Sequence, residues 1–267
     1  MRGRAPTGQT CAWPPPRTRR LPFDLPPEFF IFVAIGLAAQ LVDGALGMAY
    51  GVTSSSLLLA FGLPPAVASA SVHAAEVATT GVSGLSHGLF GNVDRRLMWS
   101  LVLPGVLGAV AGALLLSWAD WAWLRPLVSA YLLVLGLLLV CRAWRGRRRE
   151  PRTASVVPLG LGAGFLDAVG GGGWGPLATT HLMARHLEPR IAIGTANAAE
   201  FFVSLAVSAV FLFTLGISHV HVVLGLLVGG VMAAPFAAWL ARRVPARPLM
   251  AAVGVMVAGV SVYNLLR

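Results

Sequence analysis

The stretch Asp43-Gly44-Ala45-Leu46-Gly47-Met48-Ala49-Tyr50-Gly51 has a second copy 124 residues on: Asp167-Ala168-Val169-Gly170-Gly171-Gly172-Gly173-Trp174-Gly175. The match runs without a gap from 36–84 onto 160–208, and it sets His73-Ala74-Ala75-Glu76 against Asn197-Ala198-Ala199-Glu200. After small slips it returns, so that Arg125-Pro126-Leu127 meets Arg247-Pro248-Leu249. The chain therefore reads as two copies of one unit.

Around these copies lie apolar runs at roughly 29–47, 50–62, 66–89, 97–118, 122–141, 155–172, 174–186, 190–215, 220–241 and 248–266. Most approach the ~20 residues that span hydrocarbon as a helix. The alternating ~10-residue pattern of barrel strands is absent. The fold class expected is an all-α integral membrane protein of about ten segments, five per unit. Segments 50–62 and 174–186 are too short and cross only about half the bilayer at 1.5 Å per residue. Each follows a Gly-rich break, Gly44 to Gly47 in one copy and Gly170 to Gly173 in the other. Non-helical backbone at membrane depth survives only where protein or a watery cavity covers it. With five crossings per unit the second copy starts from the opposite face, an inverted-topology repeat of the kind common in secondary transporters. The expected divisions are a disordered Arg/Pro-rich tail (1–27), a first repeat (28–141), a cytoplasmic basic linker (142–154) and a second repeat (155–267).

Composition agrees. Of the 267 residues 57% are apolar and 11% charged, with a mean hydropathy of +0.77, against about 25% charged in soluble domains. The net charge of +10 does not indicate nucleic acid. The basic residues, all Arg, gather at segment ends: Arg95 and Arg96, Arg142 to Arg152, Arg185 and Arg190, Arg242 and Arg243. Placing 142–155 inside puts these clusters inside too, as the positive-inside rule requires, with only the tail's Arg17, Arg19 and Arg20 violating it. The partner implied is the lipid bilayer. Cys11 and Cys141 form neither a disulfide framework nor a thiolate metal site, no secretory signal precedes residue 29, and no metal ligand set or cofactor is implied.

Four of the ten carboxylates, Asp43, Glu76, Asp167 and Glu200, sit inside apolar runs. A charge at the bilayer centre costs about 2.5 kcal/mol or more, so such residues mark pathways and proton relays. The plainer reading has Asp43 and Asp167 capping the half-helices. His73 and Glu76 share a helix face at i, i+3 and are placed to hydrogen-bond, as are Asn197 and Glu200. The replacement of a titratable ring by an amide in the second copy suggests that protons are handled mainly in the first. For His73 alone a polar contact between helices is preferred. The breaks suit an anion, because half-helix N-termini offer free N–H groups and glycine allows close approach. Gly44, Gly47, Gly51, Gly171, Gly172 and Gly173 are the glycines concerned; Ser54 and Thr179 add hydroxyls, and Tyr50 and Trp174 either close a pocket or pack between helices. Gly108 and Gly112 read as helix packing only.

The two breaks, with His73-Ala74-Ala75-Glu76, Ser83-Gly84-Leu85-Ser86-His87, Gly91-Asn92-Val93-Asp94 and Asn197-Ala198-Ala199-Glu200, resemble the TauE/SafE family of bacterial inner-membrane transporters. The resemblance runs from about residue 29 to the C-terminus. It implies ATP-independent movement of sulfite or a small organosulfur anion, coupled to protons, by a multi-pass protein of the inner (plasma) membrane, with a homodimer possible. The competing readings are an intramembrane serine protease and a cation carrier. The first rests on Gly81-Val82-Ser83-Gly84 with His181 or His219 as base. It is weakened because Ser83 aligns with Val207 while the acids are kept in both copies. The second rests on the four carboxylates and His73 as ligands.

Overall fold

A computed structural model describes residues 26–119, 121–145, 155–185, 187–216, 219–243 and 245–267. The first unit contains α1 (Glu28–Leu46), α2 (Tyr50–Phe61), α3 (Pro65–Leu89), α4 (Arg95–Trp118) and α5 (Trp121–Arg145). The second contains α6 (Val157–Gly170), a π-helical turn (Gly175–Thr179) leading into α7 (Thr180–Ala184), α8 (Pro189–Leu215), α9 (Val220–Arg243) and α10 (Ala246–Leu266). No strand occurs among the described residues. Among the described residues, four helices are long and apolar enough to cross a membrane: Arg95–Trp118, Trp123–Arg145, Pro189–Leu215 and Arg247–Leu266. Their outer faces carry exposed leucines such as Leu103 and Leu107, and Trp118, Trp123 and Trp144 stand exposed near helix ends, as interfacial aromatics do. The predicted tail lies outside the described residues apart from Pro26 and Pro27. The linker begins later than expected, because α5 continues to Arg145, and 146–154 lie outside the described residues.

Local sequence explains where the elements start and stop. Proline in the first turn opens α3, α6 and α8, where its missing N–H costs nothing. Asp94 caps α4 by accepting from the Leu97 N–H at 3.0 Å. Gly47 and Gly171 end α1 and α6 in the left-handed conformation, at φ 68° and 64°. The first break is therefore Gly47 to Ala49, shorter than the sequence reading, and Gly44 belongs to the last turns of α1. The second runs from Gly171 to Gly173. Segment 174–186 departs from the plain helix expected. The carbonyl of Pro176 is taken by the side chains of Arg142 and Thr180, and the backbone widens there into the π turn.

The short helices turn back rather than completing a crossing. Phe32 near the start of α1 stacks edge-on against Phe61 at the end of α2, with centroids 5.3 Å apart, so α1 and α2 form a hairpin. The same end of the bundle gathers the start of α9, through Phe32 and His221, and the ends of α4 and α8, through Ser117 and Thr214. Arg267 adds the end of α10 by donating to the Ala60 carbonyl. The opposite end gathers the starts of α4, α6 and α8 with the ends of α5 and α7. It also carries Arg95, Arg96, Arg142, Arg145, Arg185 and Arg190. The hairpin of the second unit thus enters from the Arg-rich end and that of the first from the other. Each unit comprises one hairpin and three long helices.

Packing is by small residues. α1 lies along α9 and α6 along α4, α5 pairs with α10, and α3 crosses α8 at the centre. A Cβ on Gly36 would meet Leu226 Cα at 2.7 Å, and one on Gly108 would meet Phe165 N at 3.0 Å. Backbones approach this closely only through glycine, the means by which helices associate in lipid.

Candidate functional site

The two breaks share one construction. Asp43, on α1, accepts through Oδ1 from the N–H groups of Ala49 (2.7 Å) and Tyr50 (3.2 Å), and so caps α2 from the preceding helix. Asp167, on α6, does the same for Trp174 at 2.9 Å. The capping role expected for these acids is present in both copies. The tips then meet. A Cβ on Gly51 would stand 2.8 Å from Gly172 Cα, and one on Gly175 would stand 2.7 Å from Met48 Cα.

Where the tips cross, a cavity of about 160 Å³ opens; an engineered cavity of about 150 Å³ holds a benzene molecule. Nine of the predicted residues line it: Asp43, Gly47, Tyr50, Gly51, Glu76, Gly172, Gly173, Asn197 and Glu200. The other seven lie elsewhere. Gly44 is in α1; Ser54 and Thr179 are fully buried outside the lining; Gly171 packs against Ser55 and Ser69. Trp174 is an interface residue, with Nε1 donating to the Ala196 carbonyl at 3.0 Å and its ring against Gly105. Tyr50 borders the cavity with its ring while its hydroxyl reaches the Leu226 carbonyl.

His73 and Asp167 are paired with each other, away from the lining. His73 Nε2 is 3.1 Å from Asp167 Oδ2, and both side chains are sealed from solvent. His73 Nδ1 lies 2.8 Å from the Ser69 carbonyl, which can only accept, so Nδ1 carries a hydrogen. The ring therefore bridges the Ser69 carbonyl on its own helix and the Asp167 carboxyl on α6. The expected bonds from His73 to Glu76 and from Asn197 to Glu200 are not made. Glu76 Oε2 accepts from Ser204 at 3.4 Å, and the Asn197 amide donates to Ser83 at 2.8 Å. Ser69 donates to the Ala168 carbonyl, Ser55 to Gly171 and Tyr131 to Gly172, so the second break is tied down on several sides.

The lining also includes residues the sequence reading missed, chiefly Gln40, Thr79, Thr80, Ser83 and His87. Glu76, Thr80, Ser83 and His87 follow one another at helical spacing down α3 toward the Arg-rich end, a polar stripe visible in the sequence. Their counterparts 124 residues on are Glu200, Ser204, Val207 and Phe211. Val207 and Phe211 are buried in the apolar core with Leu101, Ala109 and Leu116 of α4. One leg of the duplicated scaffold is thus polar and open, and the other is apolar and closed.

These features define a polytopic helical membrane protein with an internal acidic cavity between two opposed hairpins. The model of the sulfite exporter TauE/SafE family matches residues 32–264, and the chain belongs to that family. It is 47% identical over 226 residues to "Probable membrane transporter protein YtnM" of Bacillus subtilis (strain 168), covering 81% of this chain and 75% of the relative. No solved structure matches. The chain is a multi-pass membrane transporter.

Proposed function

We propose that the protein is a secondary transporter of a small sulfur-containing anion, sulfite or an organosulfonate, coupled to protons, in the bacterial inner membrane. The observation that carries the reading is the meeting of two opposed half-helix tips around one buried cavity that also holds Glu76 and Glu200. Of the first turn of α2, the Tyr50 N–H is taken by Asp43 and the Thr53 N–H by the Ala49 carbonyl; the N–H groups of Gly51 and Val52, which border the cavity, are left for an oxyanion. The two acids supply the protonatable groups. The family's name supplies the sulfur chemistry. The Arg-rich end is assigned to the cytoplasm, so that the two units are inverted relative to each other in the bilayer. Ser83, the nucleophile of the protease reading, accepts from an amide rather than facing His181 or His219 in any bond described.

The test is uptake of labelled sulfite, sulfoacetate or taurine into proteoliposomes with an imposed proton gradient. One of these should accumulate beyond its equilibrium distribution. In Glu76→Gln and Glu200→Gln the gradient should drive at least tenfold less accumulation, a loss corresponding to about 1.4 kcal/mol of coupling. Normal gradient-driven transport by both variants would remove the coupling assignment.

A further inference from the structure

The lining of the cavity bears on the sign of coupling. Asp43, Glu76 and Glu200 all border it, one from each of α1, α3 and α8. No arginine is among the described lining residues, Arg142 of α5 being bonded to the Pro176 carbonyl and the Thr180 hydroxyl, and the sequence has no lysine. The remaining titratable neighbours leave this balance unchanged. Tyr50 of α2 faces the acids; Tyr131 of α5 is bonded to the Gly172 carbonyl; His87 of α3 borders the cavity about three turns along from Glu76. α9 presents no titratable side chain to Asp43 among its described residues, since His221 packs on Phe32. Asp167 of α6 is paired with His73 of α3, and both side chains lie sealed away from the lining.

An anion that enters as three carboxylates meets like charge on three sides in a low-dielectric site. Protons on those acids remove the repulsion and convert each acceptor into an O–H donor toward the anion's oxygens. Linkage is reciprocal, so the anion raises proton affinity by the factor by which protons raise anion affinity. We propose that anion and protons occupy this cavity together and move in the same direction, with Asp43 in the titrating set alongside Glu76 and Glu200. Under an inward proton gradient such a carrier accumulates its anion inside the cell rather than expelling it. Asp43 and Asp167 occupy equivalent repeat positions, yet only Asp43 belongs to this set. It is held by backbone N–H groups alone and borders the cavity, whereas Asp167 is closed off by His73.

This inference rests on the anion reading above, and its test separates the two. Methanesulfonate, sulfoacetate and sulfate are fully ionised near neutral pH, so any proton that moves with them is the protein's. Flux of each into proteoliposomes is followed with the membrane potential clamped and either side made acidic. The expected result is accumulation on the side opposite the acidic one. The apparent affinity should tighten about tenfold per unit fall in pH for each coupled proton. Asp43→Asn keeps an acceptor oxygen for Ala49 and Tyr50; its folding is checked by its melting temperature, and it should lower that pH slope by one proton. Flux driven toward the acidic side, or indifferent to the gradient, overturns symport while leaving anion transport standing. An unaltered slope in Asp43→Asn removes Asp43 from the set. If neither these probes nor sulfite moves in either arm, the anion reading fails, and the symport inference falls with it.

Discussion

Asp43 and Asp167 occupy matched positions and perform the same capping task, yet their second surroundings differ. This difference comes from a single residue, because position 73 is histidine and its counterpart, position 197, is asparagine. The histidine reaches across to α6 and takes Asp167 out of play, while the asparagine turns to Ser83 and leaves Asp43 bordering open space. Removing one member of a buried pair strands the other without a partner, at a cost of about 3 kcal/mol or more. His73→Ala should therefore lower the melting temperature strongly. Asp43→Asn should melt close to the parent while transport suffers. If His73→Ala melts like the parent, the pair does not clasp the fold. The four acids were legible in the sequence because charge is rare in apolar runs. Their partners were not, because the bonds that matter span 94 and 114 residues and depend on how the helices cross.

At the scale of elements, ten helices fall almost where the apolar runs place them, since burial in lipid imposes a length that the composition reveals directly. The direction of the short helices was not legible. A run of twelve residues such as α2 is compatible with finishing a crossing or with turning back. Only long-range contacts, such as Phe32 on Phe61, decide for the hairpin. The contrast between the two legs yields a test by cysteine accessibility, with Cys11 and Cys141 first replaced by serine. Ser83→Cys and His87→Cys should react with a membrane-impermeant thiol reagent applied from the Arg-rich face. Val207→Cys and Phe211→Cys, in the closed leg, should resist the reagent from either face until substrate is supplied. Equal reactivity of all four would mean that the open and closed legs do not differ in solution. Gly51→Val would drive a branched side chain into Gly172, and it should abolish transport even where the protein still inserts.

For the whole molecule, the number of crossings per unit sets the orientation of the second. The sequence reading took five; the structure has one hairpin and three long helices, which is also odd, so the second hairpin still enters from the end opposite the first. Had only the short helix of each unit been re-entrant, the count would be even and both hairpins would open on one face. With the Arg-rich end in the cytoplasm, a fluorescent protein inserted within 146–154 should fold and glow. Alkaline phosphatase fused after Arg267 should be active, because it emerges outside. An inactive phosphatase fusion beside a glowing loop would contradict the opposed arrangement.

Contact between the hairpin tips has a consequence for safety in an energised membrane. Gly51 lies so close against Gly172, and Gly175 against Met48, that neither tip can shift without displacing the other. Two doors hung on one hinge pin cannot stand ajar together. A membrane that holds a gradient is thereby spared a leak each time a molecule passes.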